Sequence, residues 1–211
     1  KKINLKKFIY FSTIHVYGNL LDNIIYEDQQ TRPNSIYGLT HLLSENICNY
    51  FNYRTETKCI NVRLSNSYGS PHFINNNCWW LVINDFCKNA YENNKIEISS
   101  DGSPLRDFIH NSDVFKAIEI LINTDNSNEN TFHISSEKTY SIREIANIVY
   151  QVYKKRYNKD LKITYGKIEL NQPLKKYTIK NSKIRSLGFK PAVDLNTGVN
   201  ELFDYLEGND K

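Results

Sequence analysis

An α/β fold with a parallel crossover is predicted by three observations in the first third of this 211-residue chain. The run Lys7–Ser12 (KFIYFS) is aromatic and β-branched, follows basic residues and closes on Ser12 and Thr13, which marks a buried strand. From Ser35, the segment SIYGLTHLLSENICNYF sets Ile36, Leu39, Leu42, Leu43, Ile47 and Tyr50 at intervals of three and four. That spacing predicts an amphipathic helix of about four turns, with Ser35 as its N-cap. Thr57–Leu64 (TKCINVRL) then alternates into a second strand that ends in Asn66 and Gly69. Strand, helix and strand at this spacing form the unit that joins parallel neighbours.

The rest of the chain continues the alternation. After a loop containing Pro71, a helix is predicted around Trp79–Glu92, a strand near Lys95–Ile98, a turn at Asp101–Gly102 and a strand at Asp107–His110. A helix at Ser112–Asn123 and a strand at Thr131–Ile134 follow. A long helix then runs from Ser141 to about Tyr157, with Ser141 and Glu144 at capping-box spacing. A short helix before Leu187–Gly188–Phe189 and a last one from Leu195 to Leu206 complete the reading. No internal repeat or low-complexity linker interrupts it, so the pieces are expected to pack as one body.

Composition narrows the class. With 40% apolar and 24% charged residues the chain is expected to fold as a soluble globule. No uncharged apolar run approaches the roughly 18 residues of a membrane span, and KKINLKKFIYFS leads into a strand instead of a signal-peptide core. The chain begins at Lys1 and contains no methionine, so further sequence is expected in front of it. Cys48, Cys59, Cys78 and Cys87 show no metal-binding spacing, which predicts no metal site, buried free thiols and a reducing, cytoplasmic location. The net charge of +4 is spread out, without the basic stripe that nucleic-acid binding requires.

Six stretches carry the chemistry: FSTIHVYG (Phe11–Gly18), Tyr37-Gly38-Leu39-Thr40-His41, RLSNSYG (Arg63–Gly69), DGSPLRDFIHNSDV (Asp101–Val114), TFHISSEKTYSIREIA (Thr131–Ala146) and IRSLGFKP (Ile184–Pro191). In this order they resemble the extended short-chain dehydrogenase/reductase superfamily, the NAD(P)-dependent nucleotide-sugar epimerases, dehydratases and reductases. The resemblance implies that residues 1–69 are the remaining half of a Rossmann dinucleotide-binding domain. Residues 70–211 are then mainly a smaller mixed α/β substrate-binding region, with about 106–124 returning to the Rossmann sheet. It places the family's glycine-rich pyrophosphate turn in sequence before Lys1, so this chain by itself is expected to be an inactive fragment of a cytoplasmic polysaccharide-synthesis enzyme. A homodimer formed through the Tyr37 helix is also implied.

The same resemblance assigns roles. Thr13 hydrogen-bonds the reacting sugar hydroxyl and Tyr37 is the general acid/base, which also touches the cofactor. A phenol with an ordinary pKa near 10 needs nearby positive charge to act as a base at neutral pH. The family supplies a lysine four residues on, where this chain has His41. The interval keeps His41 on the Tyr37 face of the helix, with a shorter side chain that titrates near neutrality. His41 is therefore expected at the cofactor ribose; the alternative is a degenerate, non-catalytic remnant that at most binds nucleotide sugar. Ser65 borders the nicotinamide, while Asn66 and Arg106 meet the diphosphate of a nucleotide-diphosphate sugar. Arg106 could instead pair with Asp101 or Asp107 at the surface.

Two substitutions steer the reaction class. The family's dehydratases carry an Asp-Glu pair directly after the Ser/Thr, and here Ile14 and His15 stand there. Dehydration is thereby disfavoured, and oxidation, epimerisation or keto reduction remain. His15 either faces the sugar as an extra acid/base or packs under the Tyr17 loop. Lys175 and Lys176 stand near the place of a second phosphate arginine and are read as solvated; Trp79 and Trp80 either stack on a ligand or belong to the core.

Overall fold

The computed structural model describes residues 5–19, 23–73, 76–124, 129–167 and 176–209. In chain order the elements are β1 (Lys7–Thr13), a 3-10 turn (Ile14–Tyr17), β2 (Ile24–Ile25), α1 (Ile36–Arg54), β3 (Lys58–Leu64), β4 (Asn66–Tyr68), α2 (Val82–Asn93), β5 (Lys95–Ile98) and β6 (Leu105–His110). They continue with α3 (Asn111–Asn123), β7 (Thr131–Ile134), β8 (Thr139–Ser141), α4 (Ile142–Tyr157), β9 (Lys162–Tyr165), β10 (Thr178–Ile179), α5 (Ser182–Arg185) and α6 (Leu195–Asn209). No helix among the described residues is long and apolar enough to cross a membrane.

The chain divides into two compact units instead of the single body expected from the sequence. One comprises Lys1–Ser65, Val114–Lys138 and Tyr177–Pro191; the other comprises Asn66–Asp113, Thr139–Lys176 and Ala192–Lys211. The crossing at Ser65/Asn66 falls between β3 and β4 and that at Asp113/Val114 falls within α3, so no linker composition announces them.

The first unit is built on a parallel sheet of order β1-β3-β7. β1 lies beside β3 from Lys7↔Lys58 to Thr13↔Leu64, and β7 beside β3 from Asn61↔Thr131 to Leu64↔Ile134. The central strand β3 is buried from Cys59 to Arg63, as a parallel strand covered on both faces should be. α1 is held to it by a polar seam. Glu45 bonds Arg63, Asn49 Oδ1 accepts from Asn61 Nδ2 at 3.1 Å, and Asn52 brackets the backbone of Cys59 at 2.6 and 2.7 Å. Two strand residues advance about 6.7 Å and four helical residues about 6 Å, so alternate residues of β3 stay level with successive turns of α1. Lys7 Nζ fastens the start of β1 to the C-terminal carbonyls of α3, donating to Leu121 O, Ile122 O and Thr124 O at 2.5–3.1 Å, where the helix dipole favours a cation.

The second unit holds β4-β6-β8 and the pair β5-β9. Its core is packed by α2, α4 and α6 through buried Ile83, Phe86, Ala90, Ile145, Val149, Val199, Leu202 and Phe203. The predicted capping box is present: Ser141 Oγ accepts from Glu144 N at 3.1 Å, and Glu144 Oε2 accepts from Ser141 N at 2.6 Å. The stretch 106–124 divides between the units. From Val114 onward α3 belongs with the parallel sheet, whereas β6 pairs with β4 and β8, and the strand that rejoins β3 is β7. The partner of β6 is β4, in parallel from Asn66↔Phe108 to Tyr68↔His110.

Candidate functional site

β1 and β3 run parallel, so their carboxyl ends lie side by side, and in open α/β sheets ligands bind at such ends. Thr13 closes β1 and is buried. Its hydroxyl oxygen accepts from His15 N at 3.3 Å, capping the 3-10 turn, and a hydroxyl that accepts one bond can still donate another. Ser65 directly follows β3 and is 6% exposed. Its backbone N–H donates to Ile134 O at 3.0 Å, while its hydroxyl has no hydrogen-bond partner among the described residues. A buried hydroxyl left without a partner costs about 1–3 kcal/mol.

Tyr37 sits in the first turn of α1, 56% exposed. Ser35 caps the helix as predicted, its hydroxyl accepting from Gly38 N at 3.1 Å. The helix starts against the turn after Thr13: a Cβ added to Gly38 would lie 2.5 Å from His15 O, a separation that only glycine permits. Gly18, which ends V-Y-G, has φ +65°, and a Cβ added there would lie 2.1 Å from Arg32 O. These two glycines bring the Tyr37 ring edge-on to exposed His15, with centroids 5.7 Å apart. His41 lies one turn on, its ring 4.5 Å from that of Tyr37 and its Nδ1 2.9 Å from the hydroxyl of Tyr10 on β1. Ile14 is buried.

Beneath these residues lies a buried network that the sequence did not disclose. Arg63 donates through Nε and Nη2 to the Glu45 carboxylate at 2.7–3.2 Å, and through Nη1 to Tyr17 Oη at 2.6 Å and Glu27 O at 2.9 Å. Ser12 Oγ donates to Glu45 Oε1 at 2.5 Å. Tyr17 Oη lies 2.6 Å from His133 Nε2, and His133 Nδ1 lies 2.7 Å from Lys180 O. A carbonyl only accepts, so Nδ1 carries the proton and Nε2 accepts a hydrogen bond from the tyrosine hydroxyl. Burial is the main cause of the shifts here: it pushes Tyr17 up to about 12 against the opposing Arg63 charge, and His133 down to about 3. For Arg63 burial acts downward, but its bonds to Glu45 and Tyr17 outweigh it and the net direction is upward. Glu45, Tyr17 and His133 were missed because a helical glutamate and a loop tyrosine ordinarily read as solvated or apolar; the one signal was Arg63 inside R-x-x-N-x-Y-G.

Asn66 and Arg106 belong to the second unit. Asn66 Nδ2 donates to Asp107 O at 2.9 Å, tying β4 to β6. Half-buried Arg106 donates to Leu105 O at 2.7 Å. The Asp101 carboxylate, offered as a surface partner for it, instead accepts from Ser103 N and Oγ. Trp79 packs against the core, as one of the two readings has it, while Trp80 is 73% exposed. Lys176 is exposed and Lys175 lies outside the described residues, as do Ile74 and Asn75 of the Phe73–Trp80 loop. Cys48, Cys59 and Cys87 are buried free thiols as expected, and Cys78 is half-buried.

The model of the NAD dependent epimerase/dehydratase family matches residues 1–135. The chain belongs to this family. Epimerase/dehydratase relatives include the dTDP-D-glucose 4,6-dehydratase of Mus musculus, 26% identical over 97% of this chain and 57% of its own length. The dTDP-L-rhamnose 4-epimerase of Burkholderia thailandensis is 28% identical over 84% of this chain and 47% of its own length. The chain thus spans about half the length of these curated relatives. Among solved structures, the UDP-glucuronic acid 4-epimerase of Bacillus cereus, in complex with UDP-glucuronic acid and NAD, superimposes with a TM-score of 0.79. It is 24% identical over 98% of this chain and 63% of its own. The predicted α/β, partly Rossmann-like fold is therefore that of the family.

Proposed function

We propose that the protein to which this chain belongs oxidises, epimerises or reduces a nucleotide-diphosphate sugar with NAD or NADP. The observation that carries this reading is that the carboxyl ends of β1 and β3 carry Thr13 and Ser65, whose hydroxyl has no partner among the described residues, while exposed Tyr37, with His41 beside it, opens the helix that starts against the turn after Thr13. Ser65 fits the polar edge of a nicotinamide, and Tyr37 and His41 fit its ribose. When bound, NAD(P) supplies the hydride acceptor and donor.

The chain's own groups handle the proton. The Thr13 O–H donates to the oxygen of the reacting sugar hydroxyl, which makes that hydroxyl more acidic. Tyr37 Oη takes the hydroxyl proton as the carbonyl forms and returns it when the carbonyl is reduced. Asn66 and Arg106 are assigned to the diphosphate, for which a guanidinium offers a forked, permanently charged donor. Ile14 and His15 replace the two carboxylates that dehydration needs, so the sugar keeps its oxygen at C6 even though dehydratases are among the relatives.

A panel of UDP- and dTDP-hexoses and hexuronic acids, incubated with the intact gene product and NAD(P) and followed by NMR of the sugar ring, tests this reading. Change confined to oxidation state or configuration is expected. A 6-deoxy-4-keto product, or no conversion of any sugar, would overturn it.

A further inference from the structure

Tyr10 has no place in the mechanism above, yet its hydroxyl meets the nitrogen of His41 that faces β1 at 2.9 Å. We infer that Tyr10 is a positioning residue that fixes His41 as the Nε2–H tautomer, giving the imidazole a donor for a ligand hydroxyl such as that of a cofactor ribose. The inference rests on the proposed function for the identity of that ligand, but not for the tautomer.

A phenol oxygen shares its lone pair with the ring and is a stronger donor than acceptor, whereas an imidazole nitrogen of pyridine type is a strong acceptor. The pair therefore runs from Tyr10 O–H to His41 Nδ1, and a neutral imidazole that accepts at Nδ1 carries its proton at Nε2. Two further contacts limit the ring. The Tyr37 ring stands edge-on at 4.5 Å, and the Tyr10 ring is tilted at 5.7 Å, so His41 is bounded by both phenols. The titratable groups around it are Tyr10 on β1, Tyr37 on α1, and Glu45 one turn further along α1, whose carboxylate is engaged by Ser12 and Arg63. A lysine at position 41 would donate without such help. An imidazole offers either a donor or an acceptor at Nε2, and Tyr10 decides which.

The test is long-range nitrogen–proton NMR of the imidazole rings in the full 211-residue chain at mildly alkaline pH, with His41→Asn identifying the His41 signals. The expected result is an Nε2–H pattern for His41, shifting toward the tautomer mixture of a free imidazole in Tyr10→Phe while the His133 signals stay unchanged. An Nδ1–H pattern in the parent chain, or the same pattern in both chains, would overturn the inference. In the intact gene product, Tyr10→Phe should raise the KM for NAD(P) several-fold with a smaller change in kcat, and the effect should vanish in a His41→Lys background. An equal effect in both backgrounds would make Tyr10 merely structural. A spectrum as expected beside a Tyr37→Phe variant with full activity would leave the tautomer standing and remove the proposed function.

Discussion

Glu45 and Arg63 form a buried ion pair, Nη2 to Oε2 at 2.7 Å, that joins α1 to β3 directly below the turns carrying Tyr37 and His41. A charge left without its partner in such a place costs about 3–5 kcal/mol. Glu45→Ala is therefore expected to destabilise strongly, leaving Arg63 facing Tyr17 and a bare cavity. Denaturant titration of the 211-residue chain checks this; a loss under about 1 kcal/mol would place the pair in water.

His133 predicts an acid-labile fold. Burial, with the Arg63 and Lys183 charges adding to it, holds the imidazole at about 3, against about 6.5 in an unfolded chain. Because the folded value is the lower one, the contribution is fully present above about pH 6.5. It declines as pH falls from there toward 3, by at most about 1.4 kcal/mol per pH unit. His133→Gln should flatten that part of the stability profile. A variant profile as steep as the parent's between pH 6 and 4 would assign the acid sensitivity to other groups.

Much of the fold was legible because periodicity and capping are local. The strand Thr131–Ile134, the helix beginning after Ser35 and the Ser141–Glu144 capping box stand where the sequence placed them. The short strands β2, β4, β8, β9 and β10 were missed: their residues carry no strand pattern of their own, and a partner distant in sequence supplies each ladder. The motif residues of the proposed site were named through the family resemblance. Tyr10 and the Glu45–Arg63–Tyr17–His133 chain were not, since a polar side chain shows its partner only once the fold brings the two together.

Ser65 separates ligand binding from folding. Its unpaired hydroxyl gives nothing to the isolated chain, so Ser65→Ala should leave thermal stability unchanged or slightly raised. In the intact gene product the same change should weaken NAD(P) binding by about 0.5–1.5 kcal/mol, roughly 2- to 12-fold. Calorimetric affinity unchanged by the substitution would take Ser65 out of the cofactor site.

Gly38→Ala places a methyl group 2.5 Å from a backbone carbonyl, and neither the turn nor the helix start has a flexible side chain to give way. A loss of about 1–3 kcal/mol is expected from such overpacking, together with displacement of Tyr37. A melting temperature equal to the parent's would show that α1 does not rest on His15.

α1 exposes Ile36, Leu39, Leu43, Ile47 and Tyr50 along one face, an apolar stripe that an isolated helix surface would not keep. Burial of this stripe against a second copy is the expected state of the intact gene product. Leu43→Lys with Ile47→Lys should convert a dimer to monomer in sedimentation velocity. A monomeric parent protein would contradict this.

The central claim is that Tyr37 moves the proton of the sugar hydroxyl. It is tested most directly by comparing the turnover of the best nucleotide-sugar substrate by the intact gene product and by its Tyr37→Phe variant, which loses one oxygen from an exposed position and should fold normally. The account predicts a fall in kcat of about 10²–10⁴-fold with NAD(P) affinity changed far less. Turnover within a few-fold of the parent's would contradict it.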